Sequence, residues 1–319
     1  MQIEARGQAP HPFPRFPVAV VRANRGAGPE PSQQAAAVHW PAVARLGSLR
    51  LGPGAFSIWL QLRGEARVQA REGQFVLAAG EWLALERDSA PELVADRHGI
   101  TLGMVLPIAP GGHRCELLPG RGRMAAHDLR IALRLWRDGR DASAGRDDAA
   151  ARALCAMLRH LATQQRELDR GIERCPGRSM RRKRQVFGRL QCARLFLEGH
   201  RHRVVRLTEL AELTSFSSWY LSKTFHGLYD ESPQAASVRL RLERACELLA
   251  RTDDPIGEIG AACGFDNSCS FARAFRARFR TTASAWREAS RRDPMPGRAQ
   301  GRGPEGRPRP AGAAGASAG

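Results

Sequence analysis

The sequence of 319 residues predicts an α+β protein. An N-terminal antiparallel β-barrel with attached helices is expected first, then an all-α domain built from two helix-turn-helix units. Three observations carry this. Between Ser57 and Leu106, short strand-like runs are separated by glycine turns at intervals of roughly 8–10 residues, as in a sandwich or barrel. After Pro110 the alternation gives way to helical periods. Between Arg189 and Arg287 one pattern occurs twice: a short apolar helix, a tight turn, and a second helix opening at small polar residues.

Taken in order, residues 1–37 are rich in Pro, Gly and Ala without periodicity, and are expected to form a flexible arm. Residues 38–169 form the first domain. Its strands are Ser57-Ile-Trp-Leu-Gln-Leu, Val68-Gln-Ala-Arg, Phe75-Val-Leu, Glu81-Trp-Leu-Ala-Leu and Ile100-Thr-Leu-Gly-Met-Val-Leu. Gly52-Pro-Gly54, Arg63-Gly64, Glu72-Gly73 and Ala79-Gly80 are the turns between them. Two amphipathic helices follow. Leu129, Ala132, Leu133 and Trp136 mark the first; the second spans Ala149–Leu168, with Leu154, Met157, Leu158 and Leu161 on one stripe. That stripe is longer than a small barrel needs, so a homodimer interface is expected there. Charged residues and Pro176-Gly177 make 170–184 the linker.

Residues 185–290 form the second domain. Its opening helix is Gln185–Glu198. The first unit is Leu207-Thr-Glu-Leu-Ala211-Glu-Leu-Thr-Ser-Phe-Ser217-Ser-Trp-Tyr-Leu221-Ser-Lys-Thr-Phe225. A long helix, Gln234–Ala250, repeats Val238, Leu242, Ala245 and Leu249. The second unit is Ile256-Gly-Glu-Ile-Gly260-Ala-Ala-Cys-Gly264-Phe-Asp-Asn-Ser-Cys-Ser-Phe271-Ala-Arg-Ala-Phe275. Leu221/Phe225 and Phe271/Phe275 are each four apart, which puts each pair on one buried face. Leu210, Leu213, Ile256, Ile259, Cys263 and Phe265 are further core positions. Residues 291–319 are dominated by Gly, Pro, Arg and Ala and form a disordered tail.

Composition bounds the partner. A net charge of +18, with a pI near 11.2, favours a polyanion. Residues 181–293 carry 21 basic and 13 acidic side chains, but the rest of the chain is basic too, so charge alone does not locate the site. The 7 cysteines are odd in number and contain no CxxC pair. This fits a reducing compartment and argues against a disulfide framework or a zinc ribbon. The N-terminus has no signal-peptide core, and no apolar run approaches the ~20 residues that span a bilayer. A cytoplasmic protein with no membrane partner is expected.

The second domain resembles the AraC/XylS family of transcriptional regulators. The residues that carry the resemblance are Leu210-Ala211, Ser217-x-x-Tyr-Leu-x-Lys-x-Phe225, Ser232-Pro233, Arg241-Leu-Glu-Arg-Ala245 and Leu248-Leu249. It continues through Ile256-x-x-Ile, Cys263-Gly-Phe265, Ser270-Phe-x-Arg-x-Phe275 and Trp286-Arg287. The order and spacing extend over about a third of the chain. Four positions depart from the pattern: Gly260 for Ala, Arg280 for Gly, Ala283 for Pro and Ala236 for an aromatic. Glycine inside a helix costs about 1 kcal/mol against alanine, so Gly260 is expected to lower stability rather than alter function. The first domain resembles, more loosely, the cupin-like sensory and dimerisation domain that often precedes this module.

The resemblance implies a sequence-specific regulator that binds double-stranded DNA, an effector-responsive activator that works with RNA polymerase. Ser217 is expected to cap the first recognition helix, which runs to about Leu228. By resemblance Ser218, Trp219, Ser222 and Lys223 face the major groove. On the second recognition helix the same role falls to Ser268, Cys269, Ser270 and Arg273, with Arg276 toward phosphate. Competing readings are a core position for Trp219 and a surface ion pair for Arg273. An alternative for the whole chain is a cupin-type enzyme with an appended DNA-binding domain. Enzyme cupins bind metal through His pairs and a Glu, whereas His39, His98 and His113 are scattered here, so no enzyme, metal or cofactor is expected. His200-x-His202 ends a helix beside Arg201 and Arg203 with no third ligand. Gly315-x-Ser-x-Gly319 matches a nucleophile elbow but lacks the flanking strand and helix.

Overall fold

The computed structural model describes residues 38–107, 117–142 and 147–292. The arm, nearly all of the tail, His113, Cys115 and the Gly315–Gly319 motif lie outside the described residues. Nine strands come first: β1 (Ala42–Ala44), β2 (Ser48–Arg50), β3 (Ala55–Arg63), β4 (Glu65–Ala70), β5 (Gly73–Ala78), β6 (Glu81–Leu85), β7 (Glu92–Ala95), β8 (Ile100–Pro107) and β9 (Gly120–Arg123). They pair antiparallel in two open sheets, β1-β8-β3-β6-β9 and β2-β7-β4-β5.

This corrects the expected closed barrel. Gly64, at φ +63, carries the chain from β3 in one sheet to β4 in the other, and Gly80 carries it back from β5 to β6. Only the Gly73 turn closes a hairpin, pairing β4 with β5. A glycine turn reads alike in sequence whether it closes a hairpin or crosses between sheets.

The burial patterns follow from the layering. β4 alternates, with Ala66, Val68 and Ala70 buried and Glu65, Arg67 and Gln69 exposed, because its outer face meets solvent. β3 is buried continuously from Phe56 to Gln61. Its Trp59 joins Val68, Leu77, Leu83 and Leu93 between the sheets, while Ile58 and Leu60 turn outward to Trp82, Met104 and the helices. Those helices are α1 (Ala126–Ala142) and α2 (Asp147–Gln164). Trp136 of α1 donates its indole N–H to the Gly103 carbonyl at 2.8 Å.

The stripe Leu154, Met157, Leu158 and Leu161 packs within the same chain, against α1 and into the cluster that α1 shares with this sheet. It therefore does not supply the free face on which a homodimer was expected. α2 also stops at Gln164: buried Gln165 bonds both backbone groups of Leu118, and α3 (Arg166–Arg174) begins after it.

The expected linker, 170–184, is mostly helical. It holds the end of α3 and the start of α4 (Met180–Gly199). Ile172 and Cys175 are three apart and sink into the same cluster as Val186 and Phe187 of α4, leaving the charges outside. Helices α5 (Leu207–Thr214), α6 (Ser218–Tyr229), α7 (Pro233–Arg251), α8 (Ile256–Ala262), α9 (Ser268–Phe279) and α10 (Ala283–Arg292) complete the domain.

The domain has two cores. One gathers α4, α5, α6 and the start of α7 around Leu190, Leu221, Phe225 and Leu240. The other gathers the rest of α7 with α8, α9 and α10 around Leu249, Ile259, Phe271 and Phe275. α7 serves both, which corrects the expected repeat. Ala236 and Leu240 face the first core and Leu242, Ala245 and Leu249 the second, so Val238 falls between and is 36% exposed.

α4 also ties the domains together. Leu195 is buried in the core between the sheets, and Gly199 abuts the β4–β5 turn. A Cβ placed on Gly73 would lie 2.5 Å from the Gly199 carbonyl carbon.

Candidate nucleic-acid interface

Each unit is a helix pair whose second member is fixed by a cap before it and an apolar pair beneath it. In unit one, Glu209 accepts the Arg206 backbone N–H at 2.9 Å and a two-pronged pair from Arg203 at 2.7 and 3.1 Å, which anchors the start of α5. The Arg203 guanidinium holds the Glu209 carboxyl below its ordinary range. α5 ends at Ser215 in the left-handed region, φ 51. Ser217 then caps α6, its hydroxyl accepting the Tyr220 N–H at 3.2 Å. Leu221 and Phe225 are buried beneath.

Unit two repeats the plan with different residues. Gly264, at φ 75, makes the turn after α8. Asn267 caps α9, its side-chain oxygen accepting the Ser270 N–H at 2.8 Å. Phe271 and Phe275 are buried, ringed by Phe265, Phe279 and Trp286.

The faces opposite those pairs hold the residues singled out from sequence. Trp219 is 70% exposed, which removes the core reading for it. Lys223 lies over its ring, Nζ 5.0 Å from the centroid. Ser218 and Ser222 are half-buried at its flanks. On α9, Ser268, Cys269, Arg273 and Arg276 are exposed. Ser270 is half-buried and gives its hydroxyl hydrogen to the Asn267 carbonyl at 2.9 Å, so its hydroxyl is engaged in the cap. Among the described residues, neither Arg273 nor Arg276 has a carboxylate within ion-pair distance.

The contrast with the framework is chemical. Arg201–Glu247, Arg203–Glu209, Arg194–Glu198 and Arg239 with Glu231 and Glu243 are all paired. These four framework arginines are neutralised, while the cations on the two recognition faces stay open to an anion.

The roles of several supporting residues escaped the sequence reading. Arg241 of α7 is buried, donates to the Gly264 carbonyl at 2.8 Å and stacks on Phe265 at 4.5 Å, holding the second turn. Burial draws its pKa below the ordinary arginine value. Its clue was its place in the Arg241-Leu-Glu-Arg-Ala245 stretch that carries the resemblance. Asn267 carried a clearer one, since Asn is among the preferred N-caps. The His200 and His202 rings lie tilted to each other, centroids 5.9 Å apart, and burial lowers both pKa values. Among the described residues no group of three His, Cys, Asp or Glu gathers as metal ligands, and no helix is long and apolar enough to cross a membrane.

Comparison with known proteins places this architecture. A helix-turn-helix domain family matches residues 210–289. The HTH-type transcriptional regulator CdhR of Pseudomonas aeruginosa is 32% identical over 34% of this chain and 30% of its own. The MmsAB operon regulatory protein of the same organism is 27% identical over 30% of this chain and 31% of its own. A solved transcriptional regulator of Chromobacterium violaceum, described as AraC-type, is 29% identical over 34% of this chain and 95% of its own, with a TM-score of 0.32. Residues 210–289 of this chain are a helix-turn-helix domain of the family that matches them. The chain spans about a third of the length of the curated relatives it matches. Of the four departures from the AraC/XylS pattern, Gly260 has a structural reason: a Cβ there would lie 3.0 Å from Phe271 Cγ. Arg280 takes the left-handed φ of 60 usually left to glycine, and Ala283 and Ala236 are buried.

Proposed function

We propose that this chain is a transcription regulator that binds double-stranded DNA through α6 and α9, each set in the major groove. The observation that carries this reading is the pairing of two capped helices, each burying one apolar pair and presenting unpaired cations opposite it. Ser218, Trp219, Ser222 and Lys223 take the first groove segment. Ser268, Cys269 and Arg273 take the second, about 34 Å along the duplex, with Arg276 on phosphate and Ser270 fixing the cap. Arg273 is suited to guanine O6 and N7; Trp219 and Lys223 present an apolar plate and a cation together.

The two-sheet domain acts as the cupin-like sensor, and the contact of Gly73 with Gly199 supports a gating role, since it links that domain to the helix framing unit one. The regulator is an activator answering a small-molecule effector and acting with RNA polymerase. The relatives are named as regulators, so the enzyme alternative has no support from them. Selection of bound sequences from a random DNA pool by the full chain tests the reading. Two conserved blocks one helical turn apart are expected; a pool that stays random contradicts it.

A further inference from the structure

α4 begins with Met180-Arg181-Arg182-Lys183-Arg184, and its first turn holds no acidic residue. A helix N-terminus carries partial positive charge and favours anions there. Consecutive cations at this end oppose both the helix dipole and one another. Arg194 on the same helix pairs with Glu198. Here Arg182 donates to the neutral Gln185 side chain at 2.9 Å and Lys183 to the Glu173 carbonyl at 2.9 Å. Arg178, Arg181 and Arg182 are exposed. Among the described residues Arg178, Arg181 and Arg182 have no carboxylate within ion-pair distance, so their charge is open to an external anion.

The position identifies the anion. Arg182, Gln185 and Arg189 share one face of α4, at spacings of three and four. Arg189 reaches the Ser215 carbonyl at 3.4 Å and lies over Phe216 at 5.2 Å. That carbonyl stands two residues before the cap of α6, so the stripe runs from the turn of unit one outward by about 10 Å to Arg182. We propose that Arg178, Arg181, Arg182 and Arg189 form a phosphate-contacting edge that lengthens the DNA footprint beyond unit one. The proposal rests on the reading of α6 as a groove helix. Unlike the groove residues, this edge adds affinity without sequence preference.

The experiment compares the full chain with Arg181→Gln/Arg182→Gln on a DNA site obtained by selection, following affinity across salt concentrations. Each lost phosphate contact should lower the log–log salt slope by about 0.9, so a fall near 2 is expected with base preference unchanged. The melting temperature should hold or rise, because like charges leave a helix N-terminus. Shortening the DNA on the unit-one side should give the unaltered chain the same reduced slope and make the variant's further loss vanish. Arg134→Gln/Arg137→Gln, exposed on α1, removes equal charge far away and should leave the slope intact. A slope equal to that of the unaltered chain, or an equal fall in the α1 control, overturns the edge. Loss of sequence preference in the unaltered chain itself would instead overturn the groove reading.

Discussion

The two helix-turn-helix units share a frame and differ in what fills it. In both, an N-cap side chain opens the recognition helix, two apolar residues four apart bury it, and a left-handed residue closes it: Asp230 at φ 57 and Arg280 at φ 60. Ser232 and Thr282 then open the next helix alike, each hydroxyl accepting an N–H three residues on. The fill differs at three places. Unit one buries Ala211 and Leu221 in one core; unit two sets Phe271 against Gly260, with a ring where unit one has a methyl. Unit one turns through Ser215, unit two through Gly264, where a Cβ would lie 2.7 Å from Arg203 Cα. And the open face is an indole with an ammonium in unit one, but small side chains with a guanidinium in unit two. The shared frame sets the pose of each helix, while the differing faces allow the units to read different bases.

The largest expected effect tests whether the two cores are separate. Phe275→Ala should cost ~3–5 kcal/mol as a core truncation. Hydrogen exchange should then rise in α8–α10 while α4–α6 stay protected; equal loss in both would merge the units into one core. Next is the turn. Gly264→Ala should cost about 1–3 kcal/mol, from strain at φ 75 and the clash with the Arg203 backbone, whereas Ser215→Gly should be near neutral in a denaturant titration because Ser215 already occupies that region.

On DNA, Arg273→Ala should lose about 1–3 kcal/mol of discrimination at one base position, and Trp219→Ala should alter preference in the other block, both without unfolding. Identical shifts in one block from both variants would break the assignment of one unit per block. Smaller still, Ala211→Gly should cost about 1 kcal/mol. The reverse change, Gly260→Ala, should return none of it, because Phe271 is wedged between Phe265 and Phe275 and cannot retreat. Last, Arg280→Gly should stabilise by about 1 kcal/mol by relieving the left-handed arginine. Asp230→Gly should gain less, since Asp230 also pairs with Arg174 at 2.8 Å.

What could be read from sequence follows from how local each signal is. The buried pairs, the Ser217 cap and the exposed cations of both units are set by spacing within a dozen residues, and periodicity reveals them. The strands of the first domain were legible for the same reason, but their division into two sheets was not, because it depends on which distant strand accepts each edge. The apolar stripe of α2 showed that the helix is packed but not against what; its main partner is α1, in a cluster shared with the sheet. Val238 misled because α7 changes its buried face midway between two cores. Arg241 was unreadable because its partner, the Gly264 carbonyl, is a backbone group 23 residues away.

The central claim is that α6 and α9 read one face of the duplex together. The direct measurement is the affinity of the full chain for its selected site against the same site with about 5 base pairs, half a helical turn, inserted between the two blocks. Rotating one block to the far side should reduce affinity to that of a single block, and inserting a full turn of about 10 base pairs should not restore it, because α7 fixes the distance between the units. An affinity unchanged by the half-turn insertion would contradict the account.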